Sequence, residues 1–326
     1  MLHLSRRRDW AMNLAITGGT GSLGRALIPA FLADPLVTRL VILSRDEAKQ
    51  EQVARDFPDP RLRGFLGDVR DESRCRLAFQ GVHTVVHAAA LKRITAGAYD
   101  PLEFIKTNIL GTVNVVFAAL AAKVEKVLLI SSDKAVEATN LYGKTKAAAE
   151  DFAIQANTYT QPQGVAVSVL RYGNVFGSRG SVVPLWAEQA RRSRPLTLTD
   201  PSMTRFLITL TEAVGLVQDV LEMMQGGEVF VPELPAARMG DLAACLHPEQ
   251  PVSYLGMRPG GEKLHESLLS QDEVRRVRRV GPHLLAVVPA VHPWRQDWPG
   301  KWEVPQTLCS RDDPLSRGEL QTWLGR

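Results

Sequence analysis

The sequence predicts an α/β chain: a doubly wound parallel sheet with a smaller C-terminal unit interleaved with its last elements. Three observations support this. Short apolar runs alternate with longer helical patterns through the first half, the order of strand–helix–strand units. A glycine-rich turn, Gly18-Gly19-Thr20-Gly21-Ser22-Leu23-Gly24, follows the first apolar run and opens a helical pattern. After Gly180 the regularity breaks, with prolines at 184, 195, 201, 232 and 235 among short mixed segments.

Strands are expected at 13–17, 40–43, 63–66, 84–87, 126–130 and 166–171, each a short apolar run. Helices fall between them at 23–32, 47–56, 101–122 and 142–157. A helix near 206–224 and a strand at 228–231 return to the sheet, so residues 10–180, completed by about 206–232, form the first domain. Residues 181–205 and 233–326 form the second. From 280 onward prolines and tryptophans (Trp294, Trp298, Trp302) predict an irregular wrap.

At 326 residues, 45% apolar and 23% charged, the chain has the make-up of a soluble enzyme with one large core and an appendage. Its net charge of +4 comes from 39 basic and 35 acidic residues, scattered except at Arg6 to Arg8 and Arg275 to Arg279. Neither cluster is interleaved with aromatics, so no nucleic-acid partner is expected. Cys75, Cys245 and Cys309 are far apart and pair with no metal-ligand spacing, which implies a reducing compartment and no metal. His87, at the end of an apolar run, reads as a packed strand residue. No apolar region backs the early arginines, and no stretch reaches the run of about 18 apolar residues that spans a bilayer. A cytoplasmic protein without membrane insertion is expected.

The glycine turn in its strand–turn–helix setting is a dinucleotide fingerprint, which makes the first domain a Rossmann domain. Glycine lets the backbone approach a pyrophosphate, and the helix N-terminus supplies free N–H groups. Thr17, Gly18, Gly21, Ser22, Leu23 and Gly24 are its expected contacts. Where an NAD site places an acid at the end of the second strand, this chain has Ser44-Arg45, with Lys49 a turn further on. A hydroxyl and a guanidinium suit a 2′-phosphate, so NADP is expected; Asp46 keeps NAD as the less favoured reading. Asp68 and Val69, after the third strand, are placed for the adenine, and Ala88, Ala89, Ala90 and Lys92 follow the fourth.

Tyr142 and Lys146 stand one helical turn apart on one face, so an ammonium can lower the phenol's pKa and hold a ribose. Ser132-Asp133-Lys134 lies just ahead, grouping an acid, a base and a redox tyrosine. This is a pattern for hydride chemistry at an alcohol carbon.

With these motifs the chain resembles extended short-chain dehydrogenase/reductases, and more narrowly the inverting UDP-N-acetylglucosamine 4,6-dehydratases. The likeness runs through Arg171-Tyr172-Gly173-Asn174, Met203-Thr204-Arg205-Phe206 and Arg258-Pro259-Gly260 to Glu262-Lys263-Leu264-His265-Glu266. Lys134 stands where most sugar-nucleotide dehydratases would carry a second carboxylate. The run Arg93-Ile94-Thr95-Ala96 departs from the usual His-Val-Pro and acid, and Gly261 looks like an insertion. The resemblance implies transient C4 oxidation, with Tyr142 taking the hydroxyl proton, Lys134 the C5 proton, and Asp133 protonating the leaving C6 hydroxyl. A neutral Lys134 would need a shift of roughly 3 units, about 4 kcal/mol, from burial and from Lys146 and Lys92. Asp133 would then be held protonated by desolvation. If the two form an ion pair instead, both are disarmed. The resemblance further implies that Tyr172 meets the cofactor. It puts Lys92, Asn174, Arg179, Arg205 and Arg258 on a UDP-sugar, with Glu262 on its ribose, and implies a homo-oligomer.

Two other readings stand beside this. A 4-epimerase or 4-ketoreductase uses the same Tyr142 and Lys146 but needs no acid and base at C5 and C6. A catalytically silent scaffold has little use for the Tyr-x-x-x-Lys pattern.

Overall fold

A computed structural model describes residues 11–257, 260–290, 298, 300–303 and 308–325. Six parallel strands build the nucleotide half: β1 (Met12–Thr17), β2 (Val37–Ser44), β3 (Leu62–Leu66), β4 (Thr84–His87), β5 (Lys126–Ile130) and β6 (Ala166–Leu170). They lie in the order β6-β5-β4-β1-β2-β3, so the direction of winding reverses between β1 and β4. Ligands bind at such a reversal, beyond the carboxyl ends of the strands, and both the glycine turn and the Ala88–Ala90 run emerge there.

Burial follows from the winding. β1, β2 and β4 to β6 are apolar on both faces because helices cover both, and one apolar cluster lies on each side of the sheet. Helix Ser22–Leu32 and helix Leu210–Met223 cover one face, packed against each other. Helices Glu72–Ala78, Gly111–Ala121 and Leu141–Gln155 cover the other. The second domain has its own small core around Trp186, Leu196, Leu198, Leu242 and Trp323.

The strands match expectation to within a few residues, but the sheet is longer than predicted. Val229–Pro232 joins β6 in parallel; Leu284–Val287, Val277–Gly281 and Lys301–Trp302 then add antiparallel strands to make ten. The irregular wrap expected after 280 is therefore corrected for these residues, while Trp294 lies outside the described ones. The helix expected from 206 begins at Leu210, because Thr204–Ile208 is a strand and Thr209 with Glu212 forms a capping box. Pro101–Ala121 is long and apolar enough to cross a membrane by length and composition, contrary to expectation, yet half of it is buried, against Glu72–Ala78 and the Tyr142 helix.

Candidate active site

At the cofactor end, Gly18 adopts φ +71° against the Ala88–Ala89 backbone, where an added Cβ would lie 2.9 Å from Ala89 Cα. Gly24 packs on the same turn, its place for a Cβ only 2.6 Å from Gly18 O. No side chain caps helix Ser22–Leu32, which leaves its first N–H groups to an anion. The cradle therefore fits a dinucleotide pyrophosphate. Ser22 Oγ accepts from the Arg179 backbone at 3.2 Å, which sets the Arg179 main chain beside the cofactor turn.

At the end of β2, Ser44 Oγ meets Thr20 Oγ1 at 2.9 Å. The Arg45 guanidinium is more than half exposed, 3.6 Å from Asp68. Asp46 caps the next helix through Lys49 N and pairs with the Lys49 ammonium, and these bonds hold it below the usual carboxylate range. Lys49 is thus committed to Asp46 rather than standing as a free cation. Asp68 is gripped by Arg70 through Nε at 2.9 Å and Nη2 at 2.6 Å, and Val69 is buried behind it.

A polar chain runs under β4. Thr112 donates to Asn108 O at 2.7 Å, so it accepts from His87 Nε2 at 3.1 Å. His87 Nδ1 then accepts from Thr17 Oγ1 at 2.6 Å, and Thr17 Oγ1 accepts in turn from Ala89 N. Burial, helped by the charge of Lys146, pushes the imidazole down to about 3, consistent with this neutral form. Asn108 sits in a π-helical turn, Ile105–Leu110, and clamps Leu91 through both N–H and C=O while reaching Thr145 at 3.0 Å. Asn108 is thus a brace, and the His87 chain was not foreseen.

The turn Asp133–Ala135 lies between β5 and the Tyr142 helix. Its backbone hangs from Tyr172 O, which Asp133 N reaches at 3.1 Å. Tyr172 is buried and supports the turn rather than standing open to the cofactor. Asp133 is fully buried; its Oδ1 accepts from Ser132 Oγ at 2.8 Å and from Lys134 Nζ at 3.0 Å, while Oδ2 has no hydrogen-bond partner among the described residues. Lys134 Nζ also donates to Asn174 Oδ1 at 3.1 Å and lies 3.5 Å from Glu266. Burial opposes its charge, but Asp133 and Glu266 outweigh it, so Lys134 sits above the ordinary lysine value. The neutral amine expected from the sequence is not the resting form.

The Tyr142 phenol is raised by burial, offset in part by the Lys134 charge and a hydrogen bond with Ser132. Lys134, rather than Lys146, is the cation that favours its phenolate here. Lys146 is buried and donates to Ile130 O at 2.7 Å; burial brings it down to about 8, with Glu150 opposing.

Of the expected substrate contacts, Asn174 and Lys92 join this site, and desolvation with the nearby Arg93, Arg179 and Lys134 lowers Lys92. Arg205, expected at the diphosphate, is buried, and its Nη donors are taken by Thr204 O, Leu264 O and Lys263 O. Glu262 is half-buried on the same run, and Arg258 lies outside the described residues. Glu266 and Lys263 were missed; the run Glu262 to Glu266 flagged the segment but not which of its charges would face the dyad.

A protein-family model described as polysaccharide biosynthesis protein matches residues 14–287. The UDP-N-acetylglucosamine 4,6-dehydratase (inverting) of Campylobacter jejuni is 42% identical over 262 residues, 80% of this chain and 78% of that protein. The UDP-glucose 4-epimerase of Rickettsia massiliae is 42% identical over 270 residues, 81% and 79% of the two chains. Among solved structures, the X-ray structure of Pen from Bacillus thuringiensis superposes with a TM-score of 0.90 at 31% identity, covering 97% of each chain.

Proposed function

The chain belongs to the polysaccharide biosynthesis protein family, and from that premise we propose that it is a nucleotide-sugar 4,6-dehydratase acting on UDP-N-acetylglucosamine with inversion at C5. The observation that carries this reading is the Asp133–Lys134 pair, hydrogen-bonded at 3.0 Å beside Tyr142. A 4-epimerase, the second reading suggested by the Rickettsia relative, has no step for that pair.

A dinucleotide held at the glycine turn would supply a hydride acceptor, and later in the same turnover a donor. Tyr142 takes the proton of the C4 hydroxyl. The carbonyl that results acidifies the C5 proton, and the dyad must then present a base and an acid. One proton shift along the Lys134–Asp133 hydrogen bond converts ammonium and carboxylate into amine and carboxylic acid, so the resting ion pair is one step from the working form. Lys134 then removes the C5 proton, and Asp133 protonates the departing C6 hydroxyl. The elimination leaves an enone; the hydride taken from C4 would go back to C6 while a proton returns to C5, so no net oxidation remains and the enzyme is a lyase.

NADP is the proposed cofactor. Asp46, the acid that would favour NAD, is occupied with Lys49 and its helix cap, while Arg45 is exposed at the end of β2. Lys92 and Arg179 are the cations proposed for the phosphates of the UDP-sugar. Leu102, Ile105, Leu110, Phe117 and Tyr159 are exposed along and beside the Pro101–Ala121 helix, with Phe117 stacked on Tyr159, and they support a homo-oligomer. A cytoplasmic site of action fits a sugar-nucleotide substrate, and no nucleic-acid partner is proposed.

Incubation with UDP-N-acetylglucosamine in deuterated water tests the reading. Loss of one water with deuterium at C5 supports it; unchanged mass with a new C4 configuration selects the epimerase.

A further inference from the structure

Glu266 is a buried carboxylate that the reaction derived above does not use. Cations from three segments face it. Lys134 Nζ stands 3.5 Å and Arg205 Nε 3.9 Å from Oε1, and Lys263 Nζ stands 3.0 Å from Oε2 as an ion pair not aligned as a hydrogen bond. Its main chain is fixed as well: Glu266 N donates to Ser310 Oγ at 2.9 Å, and Ser310 N donates to Glu266 O at 2.8 Å. Lys263 also donates to Val136 O at 2.6 Å, just past the catalytic turn. A rigid piece of the substrate domain is thereby clamped onto the turn and presents one carboxylate to Lys134. The other charged or titratable groups around Lys134 are Asp133, Arg205, Lys92 and Tyr142.

Building on the reading of Lys134 as the C5 base, we propose that Glu266 is a positioning residue that holds the Lys134 ammonium between two carboxylates and sets the pH at which it becomes a base. A negative charge this close, in a buried site, favours the ammonium over the amine. The working amine forms when the N–H bond breaks and its proton passes to Asp133; a second proton taken from solvent fills both groups and removes the base, and the negative charge of Glu266 raises the pH at which that happens. Glu266 acts through Lys134 and needs no contact with the sugar.

The test is the pH profile of C5 deuterium incorporation from UDP-N-acetylglucosamine by the holoenzyme. Glu266→Gln should move the acid limb to lower pH by about one unit, a tenfold gain in neutral amine at fixed pH on that limb. The KM for the sugar nucleotide should stay within about threefold, so that the change appears in kcat, which rises on that limb. Glu266→Met makes the same removal of charge with an apolar side chain should the amide variant fail to fold, and Glu266→Asp, which keeps the charge, should keep the wild-type limb. A limb that stays put in Glu266→Gln or Glu266→Met, or that moves as far in Glu266→Asp, overturns the proposal. A wild-type enzyme that releases no water from the sugar nucleotide overturns the functional reading and this inference together, and does so before any substitution is made.

Discussion

Gly143 lies directly against the carbonyl of Lys134, so close that a methyl group at 143 would stand far inside van der Waals contact with that oxygen. The first turn of the Tyr142 helix and the Asp133–Ala135 turn therefore pack backbone to backbone. The spacing between the tyrosine and the dyad is set by main chain, not by side chains that can repack.

Gly143→Ala should push the turn off the helix. A displacement of about 1 Å in a catalytic pair costs on the order of 100-fold in rate, so kcat should fall by about that factor while the NADP dissociation constant stays within about threefold. Steady-state rates and fluorescence titration of the cofactor separate the two; equal losses would mean that the whole fold had moved.

Lys134→Ala should leave cofactor binding intact and stop C5 exchange with deuterated solvent, read by mass spectrometry. The C4 oxidation should survive, slowed by about tenfold, because the Lys134 charge favours the Tyr142 phenolate. Continued exchange at the wild-type rate would remove Lys134 from the role of base.

Arg45→Ala should weaken NADP by about 10- to 100-fold and leave NAD unchanged, since a charge-assisted contact to a phosphate contributes on the order of 1.5–3 kcal/mol. Titration with both dinucleotides measures this. Parallel loss for the two cofactors would place Arg45 away from the 2′ position.

Lys146 carries a pH signature. Its folded value, about 8, lies below the ordinary 10.5 because burial disfavours the charge. Between these values the unfolded chain holds a proton that the folded chain has released, so stability from this site rises with pH across that window; below it both states are charged and the burial penalty is felt in full. Lys146→Met should remove that slope, a change of about 3 kcal/mol in the difference between wild type and variant from neutral pH to pH 10.5. Urea denaturation across the window measures it. Parallel curves for the two proteins would show that Lys146 titrates normally.

Much of this was legible in the sequence because it is local. An apolar run ending in glycines, and a tyrosine one turn from a lysine, specify their own structure. The start of the helix at Leu210 was legible too, in Thr209 and Glu212, but the apolar Phe206-Leu207-Ile208 before it extends a helical pattern as readily as it makes a strand. Leu284–Val287 is an ordinary strand run hidden among turn residues, and its partners Val229–Pro232 and Val277–Gly281 identify it. The charge on Lys134 lay beyond reading of this kind. It depends on Glu266, 132 positions away in the chain, and on no spacing that a pattern could record.

The final antiparallel strands have a consequence for biosynthesis. Glu266 sits in a connection whose ends, Val229–Pro232 and Val277–Gly281, are both stitched into the large sheet through Leu284–Val287. A nascent chain still short of residue 266 has already emerged with a complete glycine cradle, yet its sheet stops at an open edge and its lysine lacks the distant acid. Nucleotide capture should thus precede competence for sugar chemistry, with the last strands to leave the ribosome arming the enzyme.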